Sequence, residues 1–423
     1  MSSHSMPAWR CHLALGILML TNVFTFAGRQ VVSVLLEPIK QEFQISDGAL
    51  GLVAGVVFAL LFGLLSLPAG RLADRANRRG LIACAMFCWG LATWACGWAS
   101  GLGALVILRL LTAAAEAGVT PPSLSLVPDY YPIRLRGMVM SLYLIGPYLG
   151  TLVALGAGGW VAAHHGWRPA FAAIGIPGMV LAVAVALWVP EPRRLRPVAV
   201  GAEEPGAPSI FAALASLWAM PAVRWLVIGS GFSSLMTVAY AMWLPAYLVR
   251  IHGLPLAQAG LLVAVVGTLT SLVGGLVSSG VSAALSRRNP AWRLGTPILS
   301  LALSIPCAMA VFLWPVGWNL GSVPQAMGFA ALFGFVSALW MPAVFTAMSF
   351  LVPPDRRALA NGLLALSNTW IGFGLGPFVV GLLSDALQPL AGPQALRYAL
   401  VTTMGFGLVA LGGFRRAQPH FPS

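Results

Sequence analysis

The chain has 423 residues, of which 59% are hydrophobic and only 8% are Asp, Glu, Lys or Arg. A soluble domain carries about 25% charged residues and needs polar groups to cover its surface, so a mean hydropathy of +0.86 excludes one and points to a polytopic membrane protein. The formal net charge of +13 does not indicate nucleic acid, because the arginines are spread over alternate connections between apolar runs instead of forming one patch.

Twelve apolar runs are long enough to cross a bilayer, and all are expected to be helices because lipid offers backbone groups no partner outside a helix or a closed barrel. The first predicted span, 11–36, carries Asn22, Thr25, Arg29 and Gln30, and is too long to be a cleavable signal. The second, 48–70, runs into the basic stretch GRLADRANRR at 70–79, and the third covers 80–99. The fourth, 104–127, contains ILRLLTAAAEAG, where Arg109 and Glu116 lie seven residues apart. Seven residues are nearly two turns, so both side chains leave one helix face about 10 Å apart along the axis. Charges at such depth cost several kcal/mol unless paired or hydrated, which makes Arg29, Arg109 and Glu116 candidates for function. The fifth and sixth spans are predicted at 137–163 and 169–189, the fifth carrying GPYLG.

A Pro-, Gly- and charge-rich stretch, PEPRRLRPVAVGAEEPGAPS, then reads as a linker. After it Ile210, Phe211, Leu214, Leu217 and Trp218 recur at helical spacing, predicting a short amphipathic helix at the membrane surface. The chain therefore divides into a first six-helix bundle at 1–190, a linker at 191–222 and a second bundle at 223–423. The remaining spans are predicted at 223–249, 257–283, 295–316, 324–351, 358–384 and 394–414. This half has no charge at comparable depth. Its candidates are Ser233, Ser234, Thr237, Tyr240 and Trp243 on the seventh span, Trp340 on the tenth, and Asn361, Asn368 and Trp370 on the eleventh, which also carries GLGPF. Small residues in GPYLG and GLGPF permit close helix approach, and Pro permits bending.

Arginines at 10, 71, 75, 78, 79, 134, 136, 193, 194, 196, 287, 288, 356, 357, 415 and 416 fall in alternate connections, so the positive-inside rule places both termini in the cytoplasm. The halves also echo each other. GRLADRANRR has a degraded counterpart in SGVSAALSRR at 279–288, and RLRG near 136 and DRR at 355–357 hold equivalent places before the fifth and eleventh spans. Parallel six-helix repeats point to a transporter whose site lies near the midplane.

GRLADRANRR resembles the cytoplasmic signature of the major facilitator superfamily. The resemblance implies a cytoplasmic gate formed by Gly70, Asp74, Arg75, Arg78 and Arg79, with Asp74 placed to meet a helix N-terminus. TNVFTFAGRQVVSVLLEPIKQEF, RLLTAAAEAGVTPPSLSLVPDYYP, WLPAYLVRIHGL and GLGPFVVGLLSD are similar to the spinster-like branch of that superfamily. Members commonly show Asp-Arg in the first helix and Arg, seven residues, Gly-Glu-Ala in the fourth. Arg29, Arg109 and Glu116 match, whereas Gly28 stands where the family usually has Asp.

The expected fold is all-α, with twelve transmembrane helices in two six-helix bundles. The expected function is secondary active transport of a small amphipathic, anionic organic solute such as a hydrophobic carboxylate or lysolipid, with protons as a candidate coupling ion. Substrate and coupling residues are expected among Arg29, Arg109, Glu116, Gln30, Asn22, Tyr240, Trp243, Asn361 and Asn368. Two arginines against one acid favour an arginine binding an anionic group over a fixed salt bridge, though that second reading stays open. A lipid scramblase, a carrier without ion coupling and a multidrug or metabolite efflux pump are the alternatives. No enzyme constellation, phosphate-binding loop or metal spacing is present in the sequence, and Cys84 and Cys88 read as small hydrophobes. No cofactor is expected. The protein is expected to be a monomer in a bacterial cytoplasmic membrane, among membrane lipids.

Overall fold

The computed structural model describes residues 7–192, 210–288 and 292–421. Every predicted span is helical. The first helix is Ala8–Phe43, the second 47–75, the third Arg78–Cys96, the fourth Leu102–Tyr130, the fifth Ile133–His165 and the sixth Trp167–Trp188. The seventh is Pro221–His252, the eighth 256–288, the ninth Trp292–Leu313 and the tenth Ala326–Leu351. The last apolar stretch, Arg357–His420, holds two helices, 357–391 and 395–417, which are the eleventh and twelfth predicted spans. Most helices run several residues past the predicted limits, since hydropathy marks only the stretch inside hydrocarbon while the backbone ladder continues beyond it.

Local chemistry sets several ends. Asn77 caps the third helix, its Oδ1 accepting the Gly80 amide at 2.9 Å. Gly253 closes the seventh helix in the left-handed conformation, φ +66, that a side chain would resist. The fourth helix breaks at Gly118–Val119 and the tenth at Ala338–Leu339, where the sequence reads as continuous. Pro121, Pro122 and Pro342 explain this, because each removes the amide that would bond to the carbonyl four residues earlier. Among the described residues, four helices contain a π-helical segment: Leu52–Val56 in the second, Val153–Gly158 in the fifth, Val263–Thr268 in the eighth and Asn368–Leu375 in the eleventh. These are equivalent helices of the two halves, so the repeat glimpsed in the loops is also present in the backbone.

The chain forms two compact units. The first comprises Met1–Phe43 and Val57–Pro205, and the second Gln44–Val56 and Gly206–Ser423. Each is built as lipid demands. Leu64, Ile107, Leu111 and Leu187 of the first unit and Leu269, Leu276 and Leu408 of the second are exposed, whereas Thr21, Asn22, Thr25, Arg29 and Ser33 of the first helix are buried. A helix, Ile210–Ala219, covers the stretch where helical spacing was read, while residues 193–209 of the linker lie outside the described residues. Between the ninth and tenth helices a minimal antiparallel hairpin pairs Asn319 with Pro324 and Leu320 with Val323.

In the second unit the start of the second helix is fully satisfied. Ser46 Oγ accepts the Ala49 amide, and the Asp385 carboxylate accepts the amides of Asp47 at 2.9 Å and Gly48 at 2.7 Å. The Asp47 carboxylate in turn accepts from both terminal nitrogens of Arg250, at 2.7 and 2.9 Å, and from Ser384 Oγ at 2.7 Å.

Candidate functional site

The three deep charges meet inside the first unit. Arg29 forms an ion pair with Glu116, the two side chains being 8% and 1% exposed. Arg109 is buried too, and its Nη1 donates to the Gly28 carbonyl at 3.1 Å. Its Nε and Nη2 make no hydrogen bond among the described residues. None of the three points into acyl chains. All are enclosed by neighbouring helices, where interactions are stronger than at a hydrated surface.

Aromatic rings complete the enclosure. The Arg29 guanidinium lies 4.8 Å from the Phe26 ring, 4.7 Å from Phe58 and 4.9 Å from Phe62, and Arg109 lies 5.2 Å from Phe58. Such rings partly offset the lost hydration of a cation. Phe58 and Phe62 are four residues apart on the second helix and stack at 5.5 Å, so one helix face presents both. Sequence reasoning missed them, although their spacing and their place in an apolar run were the available signal.

Trp89 of the third helix was also missed. Its indole is fully buried beside the Glu116 carboxylate. A Cβ at position 28 would overlap that ring, and one at position 178 would come within 2.6 Å of it. The first and sixth helices therefore carry Gly at both places where the indole lies against them. Gly28 is thus more than a missing acid: the indole occupies space that the side chain of an acid would need.

The remaining candidates are distributed as follows. Asn22 is buried and donates to the Tyr143 carbonyl at 3.0 Å, tying the first helix to the fifth, while Gln30 is half-buried. In the second unit Trp243 Nε1 donates to the Pro377 carbonyl at 3.0 Å, and Asn368 Oδ1 accepts from Ser230 Oγ at 2.7 Å. Tyr240 is buried against Phe333 and Phe312, ring centroids 4.0 and 5.4 Å away. Its hydroxyl and Asn361 Oδ1 have no hydrogen-bond partner among the described residues. Asn361 is half-buried.

At the basic-loop end of the first unit, Arg78 is buried and bonds Asp129 at 2.7 Å, Glu191 at 3.1 Å and the Ser125 carbonyl at 3.1 Å. The Arg79 amide donates to Glu191 at 2.8 Å. Arg78 thus joins the ends of the third, fourth and sixth helices, and neither Asp129 nor Glu191 was anticipated. Gly70 is half-buried, and the side chains of Asp74 and Arg75 lie outside those described.

The comparisons agree with this architecture. The sequence pattern of the Major Facilitator Superfamily matches residues 18–377. An MFS-type efflux pump of Mycolicibacterium smegmatis is 28% identical over 396 residues, covering 93% of this chain and 89% of that protein. The sphingosine-1-phosphate transporter SPNS2 of Danio rerio is 24% identical over 416 residues, covering 91% and 80%. A crystal structure of a bacterial homolog of the human lysosomal transporter Spinster, inward-facing and unoccupied, aligns with a TM-score of 0.84 at 25% identity, covering 98% of each chain. With its twelve helices in two six-helix bundles, the chain is a transporter, not an enzyme, and belongs to the spinster-like branch of the major facilitator superfamily.

Proposed function

We propose that the protein moves an amphipathic organic anion by alternating access, with Arg109 as the residue that receives the anionic group. The observation that carries this reading is the charge count in the enclosed cluster. Glu116 is engaged by Arg29, while Arg109 holds a single backbone carbonyl. A guanidinium with two unused donors in a low-dielectric site favours an incoming carboxylate or phosphate, which it can grip with two parallel bonds. The Danio rerio relative is named for sphingosine-1-phosphate, an anionic head on an apolar body, and the Phe-lined surroundings here suit a solute of that kind. The closed Arg29–Glu116 pair favours a positioning role for Arg29.

The test is binding and proteoliposome transport of labelled hydrophobic carboxylates and lysolipids by the purified full-length protein. Arg109→Ala should weaken binding by about 30-fold or more, equivalent to roughly 2 kcal/mol for a buried charged contact, and Arg109→Lys should restore part of it. Full binding by Arg109→Ala would refute the assignment. Protons are proposed as the coupling ion through Glu116. Glu116→Gln should then lose pH-driven accumulation yet keep exchange of labelled for unlabelled solute, since exchange needs no net proton movement. Retained accumulation would remove Glu116 from coupling.

The protein is proposed to act as a monomer in a bacterial cytoplasmic membrane with both termini inside. Its gate is proposed at Gly70, Asp74, Arg75, Arg78 and Arg79. Asp74→Asn should slow turnover while sparing binding, and equal loss of both would argue against a gating role.

A further inference from the structure

A cavity of ≈ 310 Å³ opens at the basic-loop end of the second unit, between the eighth, ninth and tenth helices. Its lining includes Arg287, Arg293, Ser282, Ser286, Thr346 and Phe350. Two guanidiniums and three hydroxyls thus converge on one pocket. No aspartate or glutamate is among the described residues that line it. In the first unit the matching stretch GRLADRANRR places Arg78 against Asp129 and Glu191.

The helix that delivers Arg287 also shows what reaches the pocket. Leu269, Val273, Leu276 and Val277 of the eighth helix are all exposed, followed by Ala283, Ala284 and the exposed Arg287. With the exposed Gly280 between them, the steps 269, 273, 276, 280, 284 and 287 are of three and four residues and make one continuous stripe that ends at the guanidinium. Phe350 is exposed on the tenth helix with its ring 5.0 Å from the Arg293 guanidinium. A free inorganic anion would use the two arginines and leave the stripe unused. A phospholipid uses both, its phosphate in the pocket and an acyl chain along the helix, and intramembrane basic pockets of this kind suit acidic head groups.

We infer that this cavity is a binding site for the head group of an anionic phospholipid, separate from the transport cluster of the first unit. The phosphate sits between Arg287 and Arg293, with the Ser282, Ser286 and Thr346 hydroxyls available to the glycerol portion. The apolar stripe fixes the lipid in the leaflet that faces the basic loops.

Native mass spectrometry of the delipidated full-length protein, titrated with phosphatidylglycerol or phosphatidylcholine, tests this directly. The wild type should retain phosphatidylglycerol about tenfold more strongly than phosphatidylcholine, a difference near 1.4 kcal/mol. Arg287→Gln/Arg293→Gln should lose that preference, and Arg287→Lys/Arg293→Lys should keep most of it. Thr346→Phe leaves both guanidiniums in place while filling the cavity, and should lose the preference as well, which keeps the test decisive if the double glutamine variant fails to fold. An unchanged preference in the glutamine variant or in Thr346→Phe would overturn the site. Inorganic phosphate that displaces phosphatidylglycerol and by itself stabilises the wild type equally would overturn the lipid assignment in favour of a soluble anion.

Discussion

At the scale of single residues, scarcity makes acids informative. The chain has only 11 Asp and Glu residues, so each one in or near a span is a place where a charge is needed. Glu116 was legible on this ground, but Asp129 and Glu191 were not, because they fall at span ends where a charge looks ordinary. What separates them is a buried partner, and burial of Arg78 is a tertiary fact that loop composition does not carry. The cluster leads to an asymmetric prediction. Arg78→Ala leaves Asp129 and Glu191 with side chains 40% and 22% exposed, which water can reach. Its destabilisation should be about 1 kcal/mol or less. Asp129→Ala/Glu191→Ala leaves a buried cation without its counter-charges, costing about 3–5 kcal/mol. Thermal unfolding in detergent should therefore rank the double carboxylate variant below Arg78→Ala, and the reverse order would contradict the account.

At the scale of elements, apolar runs revealed all twelve helices, since length and hydropathy are local properties. The breaks near Gly118 and Ala338 were signalled by Pro121, Pro122 and Pro342, and a stricter reading of those prolines would have found them. The head of the second helix was hidden for a different reason. Its cap comes from Asp385, 338 residues away from Asp47, and no local pattern encodes such a partner. Asp385→Ala should free the amides of Asp47 and Gly48 and destabilise the helix start by about 0.5–2 kcal/mol. Hydrogen exchange read by mass spectrometry should then quicken in peptides covering 44–51 and stay unchanged in the third helix. Unaltered exchange at 44–51 would show that Ser46 and the Asp47–Arg250 pair suffice.

At the scale of the whole molecule, the alternation of arginines gives an orientation that single-cysteine labelling can check. In a cysteine-free background, Ser286→Cys and His420→Cys should react with a membrane-impermeant maleimide only after the membrane is opened. Ser322→Cys, in the hairpin loop at the other end of the ninth helix, should react in intact cells. The opposite pattern would invert the proposed topology. Sequence showed the six-plus-six division faintly, through decayed loop motifs. The π segments in the second, fifth, eighth and eleventh helices state it more plainly, yet no residue pattern announced them. A wide turn amounts to one residue inserted into an α-helix. Deleting Ala54 alone would restore a regular helix but rotate everything on one side of it by about 100° relative to the other, carrying Phe58 and Phe62 away from Arg29 or Asp47 away from Arg250. Substitutions cannot reach such a feature one side chain at a time. A one-residue deletion in a loop need turn no helix face, whereas in any of these four helices it shifts the phase of every residue beyond it.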